Sequence, residues 1–145
     1  MSGKIKIRIE NSMYASERGA CVLDLLPALG KPGKAGQPVV ARVEGVLCDL
    51  KTPIDRDAEV SLVGAGDPAA LEVLRHSASH LLAHAVLELY PETRTGIGPA
   101  VENGFYYDFL RETPFTPEHL AAIEERMKKL AREDIPVERQ VLAKD

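Results

Sequence analysis

The chain has no tryptophan, and only four tyrosines and three phenylalanines among its 145 residues. Aliphatic side chains must therefore supply most of any core. Two small units would each have a thin core, because small domains bury a smaller share of their surface. There are two cysteines, Cys21 and Cys48. That is too few for a disulfide scaffold, and no CxxC occurs, which excludes a redox motif and a four-cysteine zinc site. Both read as buried or half-buried thiols of a reducing compartment. No apolar run is long enough to cross a bilayer. Nor does an apolar secretory segment open the chain, since Ile5, Ile7 and Ile9 alternate with Lys4, Lys6 and Arg8. A cytoplasmic protein without membrane attachment is the expectation. No Lys/Arg-rich run is present and the net charge is -4, so charge balance alone does not announce a nucleic-acid partner. Internal repeats and low-complexity stretches are absent as well.

What is present divides into two halves. Lys4 to Glu10 alternates charged and β-branched residues, the period of a strand with one buried face. A weaker strand is expected around Tyr14 to Glu17, closed by Gly19. Val22 to Leu29 reads as a short helix ended by Gly30 and Pro32. Residues 31–38 form a Gly/Pro-punctuated loop. Val39 to Val43 and Val46 to Leu50 are strands joined by a tight Glu44-Gly45 turn. Thr52-Pro53 breaks the chain, and Val60 to Val63 is a last strand. The order β-β-α-β-β-β is that of a β-grasp, ubiquitin-like sheet. Gly64, Gly66 and Asp67-Pro68 then mark a boundary. Residues 1–66 hold nine basic and eight acidic side chains, residues 67–145 nine and fourteen. An α+β chain results, with a first domain at 1–65 and a second at 66–145.

The second half opens on a long helix. Asp67 is a good N-cap and Pro68 a good first residue. Leu71, Leu74, Ala78, Leu81, Leu82, Ala85 and Leu89 fall on one stripe. A β region follows over residues 95–109, with Asn103-Gly104 as a two-residue hairpin turn. A second helix starts at Thr116-Pro117 and runs to about Glu133, with Leu120, Ile123, Met127 and Leu130 inward. Ile135 to Leu142 reads as an edge strand.

Three of the four histidines, His76, His80 and His84, lie four residues apart on the long helix. Each step of four advances about 40° around the helix, so the three share one side, facing away from the apolar stripe. A merely solvated face fits poorly, because residues 76–87 contain no Asp, Glu, Lys or Arg. A second layer or a cleft over the histidines is expected. Imidazole titrates near neutral pH and can accept a proton from water or hold a polar substrate. Two histidines at i and i+4 can also share a metal ion, but the protease motif needs Glu after the first. Here Ser77 and Leu81 stand in that place. Histidines bonded structurally to their neighbours are the plain alternative.

The run Arg75-His76-Ser77-Ala78-Ser79-His80-Leu81-Leu82-Ala83-His84-Ala85, then Ile97-Gly98-Pro99 and Asn103-Gly104-Phe105-Tyr106-Tyr107-Asp108, resembles the second N-terminal domain of threonyl-tRNA synthetases. The preceding residues resemble their TGS domain. The resemblance covers essentially the whole chain. It implies a TGS β-grasp domain followed by the first part of an α/β domain that hydrolyses serine wrongly attached to threonine tRNA. The family's HxxxH falls on His76 and His80, which would hold the seryl ester and position water. Tyr107 would line the pocket, with His84 as a supporting neighbour and no metal. The resemblance also implies that the chain is a fragment. The family completes this site with a CxxxH motif further along, and Cys21 and Cys48 have no histidine four residues on. The fragment alone is then expected to be inactive and monomeric, within a homodimeric ligase. It would need no cofactor, since ATP with magnesium and a zinc ion belong to the absent aminoacylation core. Two other readings remain open: N-terminal modules of a nucleoside-kinase-like protein, or a non-catalytic tRNA-binding or regulatory module.

Overall fold

A computed structural model describes residues 3–29, 37–138 and 140–143. The chain folds into two compact units, Met1–Leu74 and Arg75–Asp145. The first is built on a mixed sheet. β1 (Lys4–Ile9) pairs antiparallel with β2 (Ser12–Glu17), with Ile7 opposite Tyr14. Ile5, Ile7 and Ile9 are buried while Lys4, Lys6 and Arg8 are exposed, as the alternation required. β3 (Ala20–Cys21) follows Gly19, whose φ of 85° suits a residue without Cβ. It leads into helix α1 (Val22–Leu25) and a 3-10 turn at Leu26–Leu29. Pro27 has no N–H to offer, which explains the early change from the expected single helix.

Residues 30–36, most of the expected Gly/Pro loop, lie outside the described residues. β4 (Pro38–Val43) then turns into β5 (Val46–Cys48) through Glu44 and Gly45, at φ 50° and 78°. Two successive positive φ values match the right-handed twist of a hairpin. The Glu44 carboxylate also accepts the Glu59 N–H at 2.5 Å, which anchors the turn. Pro53 follows a break in the strands at residues 49–52, as expected. It opens β6 (Pro53–Ile54), a short antiparallel bridge to β3, the strand-start position a proline tolerates. β7 (Ala58–Gly64) enters the middle of the sheet, giving the order β2-β1-β7-β4-β5 with β1 and β7 parallel. Val22 and Leu25 of α1 pack on Ile5, Ile7, Ile9, Ile54 and Val60. Each fully buried aliphatic side chain there stabilises the unit by about 1.5–3 kcal/mol.

Helix α2 spans Pro68–Leu89. The Asp67 carboxylate accepts the Ala69 N–H at 2.8 Å, and the Asp67 carbonyl accepts the Leu71 N–H at 3.0 Å, so Asp67 caps it as expected. Within the first unit, Ala70 and Val73 pack on Val40 and Val63. That packing carries the first unit into the helix as far as Leu74.

Among the described residues, the second unit holds the rest of α2, four short bridging strands and a second long helix. β8 (Arg94–Thr95) pairs with β11 (Phe109–Leu110), and β9 (Ala100–Val101) with β10 (Gly104–Phe105). The hairpin turn sits one residue earlier than expected, on Glu102 and Asn103, because Gly104 pairs with Val101. Helix α3 (Pro117–Arg132) is capped by Thr116 and His119. Ala85, Val86, Ile123 and Leu130 form the core, with Leu82, Tyr90, Phe109 and Phe115 against it. The Arg111 guanidinium lies 4.3 Å from the Tyr90 ring centre, a cation–π contact that lets a charge sit half-buried.

Three expectations fail in this unit. Leu120 is 59% exposed, and His119 takes its place against Tyr90 and Phe115. Ile135 to Leu142 forms no strand among the described residues, and Val137, Val141 and Leu142 are exposed. On α2, Ala85 of the expected stripe is buried and Leu81 and Leu82 pack against the core, but Leu89 is exposed, while Ser79, Ala83 and Val86, outside the stripe, are buried. The large residues drew the expected stripe, whereas close backbone approach selects small ones. No helix among the described residues is long and apolar enough to cross a membrane.

Candidate functional site

Within the second unit, α2 buries a line through Ser79, Ala83 and Val86. The three histidines lie roughly 60° to 140° around the helix from Ser79, beside this line and, as expected, away from the side where Leu81, Leu82 and Ala85 meet the core. All three are exposed. The expected second layer over them is not found among the described residues.

His76 and His80 meet. Their Nε2 atoms are 3.0 Å apart, with ring centroids 4.6 Å apart and planes at 80°. At that separation one nitrogen donates its proton and the other accepts it. The outer nitrogens then offer one acceptor and one donor. His84 does not join the pair. Its Nε2 lies 3.4 Å from Glu88, which is itself paired with Arg126. Hydrogen bonding from Arg126, with a smaller contribution from His84, holds the Glu88 carboxyl below its ordinary value. His119 is occupied elsewhere, its Nδ1 accepting the Thr116 N–H at 3.1 Å.

Tyr107 is half-buried, and its ring stacks on Phe109 at 4.9 Å with an 18° tilt. The same ring lies over Gly98 so closely that a Cβ there would fall 2.1 Å from Cδ2. The Gly98 carbonyl in turn accepts the Ser79 hydroxyl at 2.9 Å. Ser79 also reaches the His76 carbonyl at 2.7 Å. Thus a short chain of contacts, Tyr107 over Gly98 and Gly98 to Ser79, ends in the same helical turn as His76 and His80. Asp108 supports it by bonding backbone to backbone with Gly96 and Ile97, at 2.8 and 2.9 Å. Arg75, next to His76, donates to the Glu102 carbonyl at 2.5 Å and ties the β9–β10 turn to α2.

Arg75, Ser79 and Gly98 stand in the runs that carry the resemblance, with no role assigned to them there. The lack of charge in residues 76–87 was the one available signal for Ser79, since a serine in such a run is a candidate for burial. Nothing in the residue pattern marks Gly98 as the seat of an aromatic ring. Among the described residues, no group of three or more His, Cys, Asp or Glu side chains converges.

No family model matches the chain. Individual relatives do. The threonine–tRNA ligase of Rhodospirillum rubrum is 54% identical over 114 residues, 79% of this chain and 18% of that enzyme. That of Nitrosomonas eutropha is 49% identical over 120 residues, 83% of this chain and 19% of that enzyme. That of Burkholderia vietnamiensis is 44% identical over 142 residues, 97% of this chain and 22% of that enzyme. This chain belongs to the threonine–tRNA ligase family. It spans about a fifth of the length of the relatives it matches. In this member of the threonine–tRNA ligase family, the 142 residues matched to the Burkholderia vietnamiensis enzyme take in the histidine run.

Proposed function

We propose that the chain is the N-terminal part of a threonine–tRNA ligase and contributes to removing serine wrongly esterified to threonine tRNA, with His76 and His80 at the hydrolytic centre. The 3.0 Å approach of their Nε2 atoms on an exposed turn of α2 carries this reading. The need for such a site is physical. Serine lacks one methyl of threonine, and a binding pocket discriminates on that group by only about 1–3 kcal/mol. A second, hydrolytic sieve supplies the rest.

The chemistry is the addition of a water oxygen to the ester carbonyl, followed by cleavage of the bond to the ribose oxygen. The accepting outer nitrogen of the pair takes a proton from the water and returns it to the departing ribose oxygen, and the donating one holds the ester. Tyr107, fixed over Gly98, lines the pocket. His84 supports the helix face beside it. Threonine tRNA is the partner and its seryl ester the editing substrate. The first unit is read as the TGS domain, and its central parallel pair β1–β7 with α1 packed on one face supports a β-grasp assignment. A hydrolytic site must also stabilise the oxyanion that develops. Two imidazoles and a phenol do not complete that set, so the chain by itself is expected to be inactive.

The test is release of labelled serine from seryl-threonine tRNA. In a full-length ligase carrying this sequence, His76→Ala plus His80→Ala is expected to abolish release while sparing threonine activation. Residues 1–145 alone are expected to show none. An unaffected double variant would remove the histidines from the mechanism, and robust turnover by the isolated chain would show that the site is complete within it.

A further inference from the structure

The geometry of the histidine pair carries a second capacity. We infer that His76 and His80 chelate one divalent transition-metal ion, and that the ion, while bound, shuts off hydrolysis. The inhibitory half of this inference rests on the role proposed above.

Metal–imidazole bonds run about 2.0–2.1 Å. Two Nε2 atoms 3.0 Å apart therefore subtend about 94° at a shared ion. That is close to the right angle of square-planar or tetragonal coordination, the preference of nickel(II) and copper(II). A tetrahedral ion such as zinc would need the nitrogens about 3.3–3.4 Å apart, so the pair must open before zinc fits. The ligand class is thus a tetragonal, imidazole-seeking cation rather than a hard oxygen-seeking one.

The surroundings agree. Both rings are exposed, so water can fill the remaining coordination positions. Between His76 and Leu87 there is no Lys or Arg to repel a cation and no Asp or Glu to offer a hard ion a ligand, and the Arg75 guanidinium next to His76 is held by the Glu102 carbonyl. His84 is held by Glu88 and His119 by the Thr116 N–H, which leaves these two imidazoles. With two protein ligands the site binds reversibly and tracks the free ion. On binding, the shared proton moves to the outer Nδ1 of the ring that carried it, so the ion takes both Nε2 lone pairs and both outer nitrogens become donors, with none left to accept a proton from water.

The test starts with the 145-residue chain. Nickel chloride and copper chloride are titrated in by calorimetry, and copper is followed by electron paramagnetic resonance. One ion per chain with nitrogen ligation is expected. His76→Ala and His80→Ala are each expected to weaken it at least about tenfold. His84→Ala and His119→Ala are expected to leave it unchanged, and circular dichroism confirms that each variant folds. Binding that survives the double His76→Ala, His80→Ala change would overturn the chelate. In a full-length ligase, nickel at a saturating level is expected to cut seryl-tRNA deacylation at least about tenfold, with threonine activation unaffected. Deacylation unchanged or raised by nickel would overturn the inhibition. The two readings separate cleanly. Metal binding that needs both histidines, alongside deacylation that needs neither, sinks the hydrolytic role and leaves the chelate. The converse sinks the chelate alone.

Discussion

Gly98 shows how one missing atom shapes the candidate site. Its Cβ would meet three atoms of the Tyr107 ring at 2.1, 2.4 and 2.8 Å. That ring is also stacked on Phe109, so it has little room to yield. Gly98→Ala is expected to destabilise the second unit by about 1–3 kcal/mol, the usual cost of overpacking, and to move the ring. Thermal unfolding checks the first effect, and tyrosine fluorescence the second. Ser79 is the complementary case. It is fully buried, and its hydroxyl serves the His76 and Gly98 carbonyls. Ser79→Ala leaves the Gly98 carbonyl without its side-chain donor and is expected to cost about 1–3 kcal/mol. Unchanged midpoints in both variants would mean that the Tyr107–Gly98–Ser79 contacts do not hold the segment. His76, His80, His84 and Tyr107 were all legible as candidates in the sequence. That His76 and His80 meet while His84 turns to Glu88 was not, because equal four-residue spacing treats the three alike.

The helices show where periodicity succeeds and where it misleads. Both α2 and α3 begin where Asp67-Pro68 and Thr116-Pro117 place them, since a cap and a proline act within one turn and need no tertiary help. Which side each helix buries is a different question. On α3 the apolar spacing named Leu120, Ile123, Met127 and Leu130, yet Leu120 is exposed and Ile123 is 4% exposed. Ile123→Ala is expected to cost about 2–5 kcal/mol, whereas Leu120→Ser is expected to leave stability nearly unchanged. Urea unfolding of the two variants side by side checks the pair, and equal losses would show that Leu120 is buried in solution. The residues expected as a final strand, Ile135 to Leu142, make the same point from the other side. β-branched composition supplies a propensity, but a strand exists only where a neighbour supplies its hydrogen bonds.

For the molecule as a whole, acid titration reads out the ion pairs. Glu88 is held below its ordinary value near 4.5 by Arg126 first. Asp67 is held below 3.8 by the Ala69 N–H first and then by Arg42. Carboxylates with lowered folded values contribute stability that is present above the unfolded value and lost as pH falls through the folded one. Glu88 is exposed and Asp67 only half-buried, so each effect is small. Glu88→Gln is expected to flatten the loss of thermal stability between pH 5 and pH 3, as is Asp67→Asn. Acid profiles identical to the unsubstituted chain would show that neither pair contributes in solution. The arrangement of the chain divides along similar lines. Alternation fixed which face of β1 is buried, caps fixed the helix starts, and Glu44-Gly45 fixed a hairpin, because each depends on residues a few positions apart. Only the tertiary structure decided that β7 enters beside β1, that small residues of α2 carry the burial, and that the Tyr107 ring lies over Gly98. Those outcomes depend on surfaces that meet across long stretches of chain, where close packing selects shape and volume, and no local pattern encodes the partner.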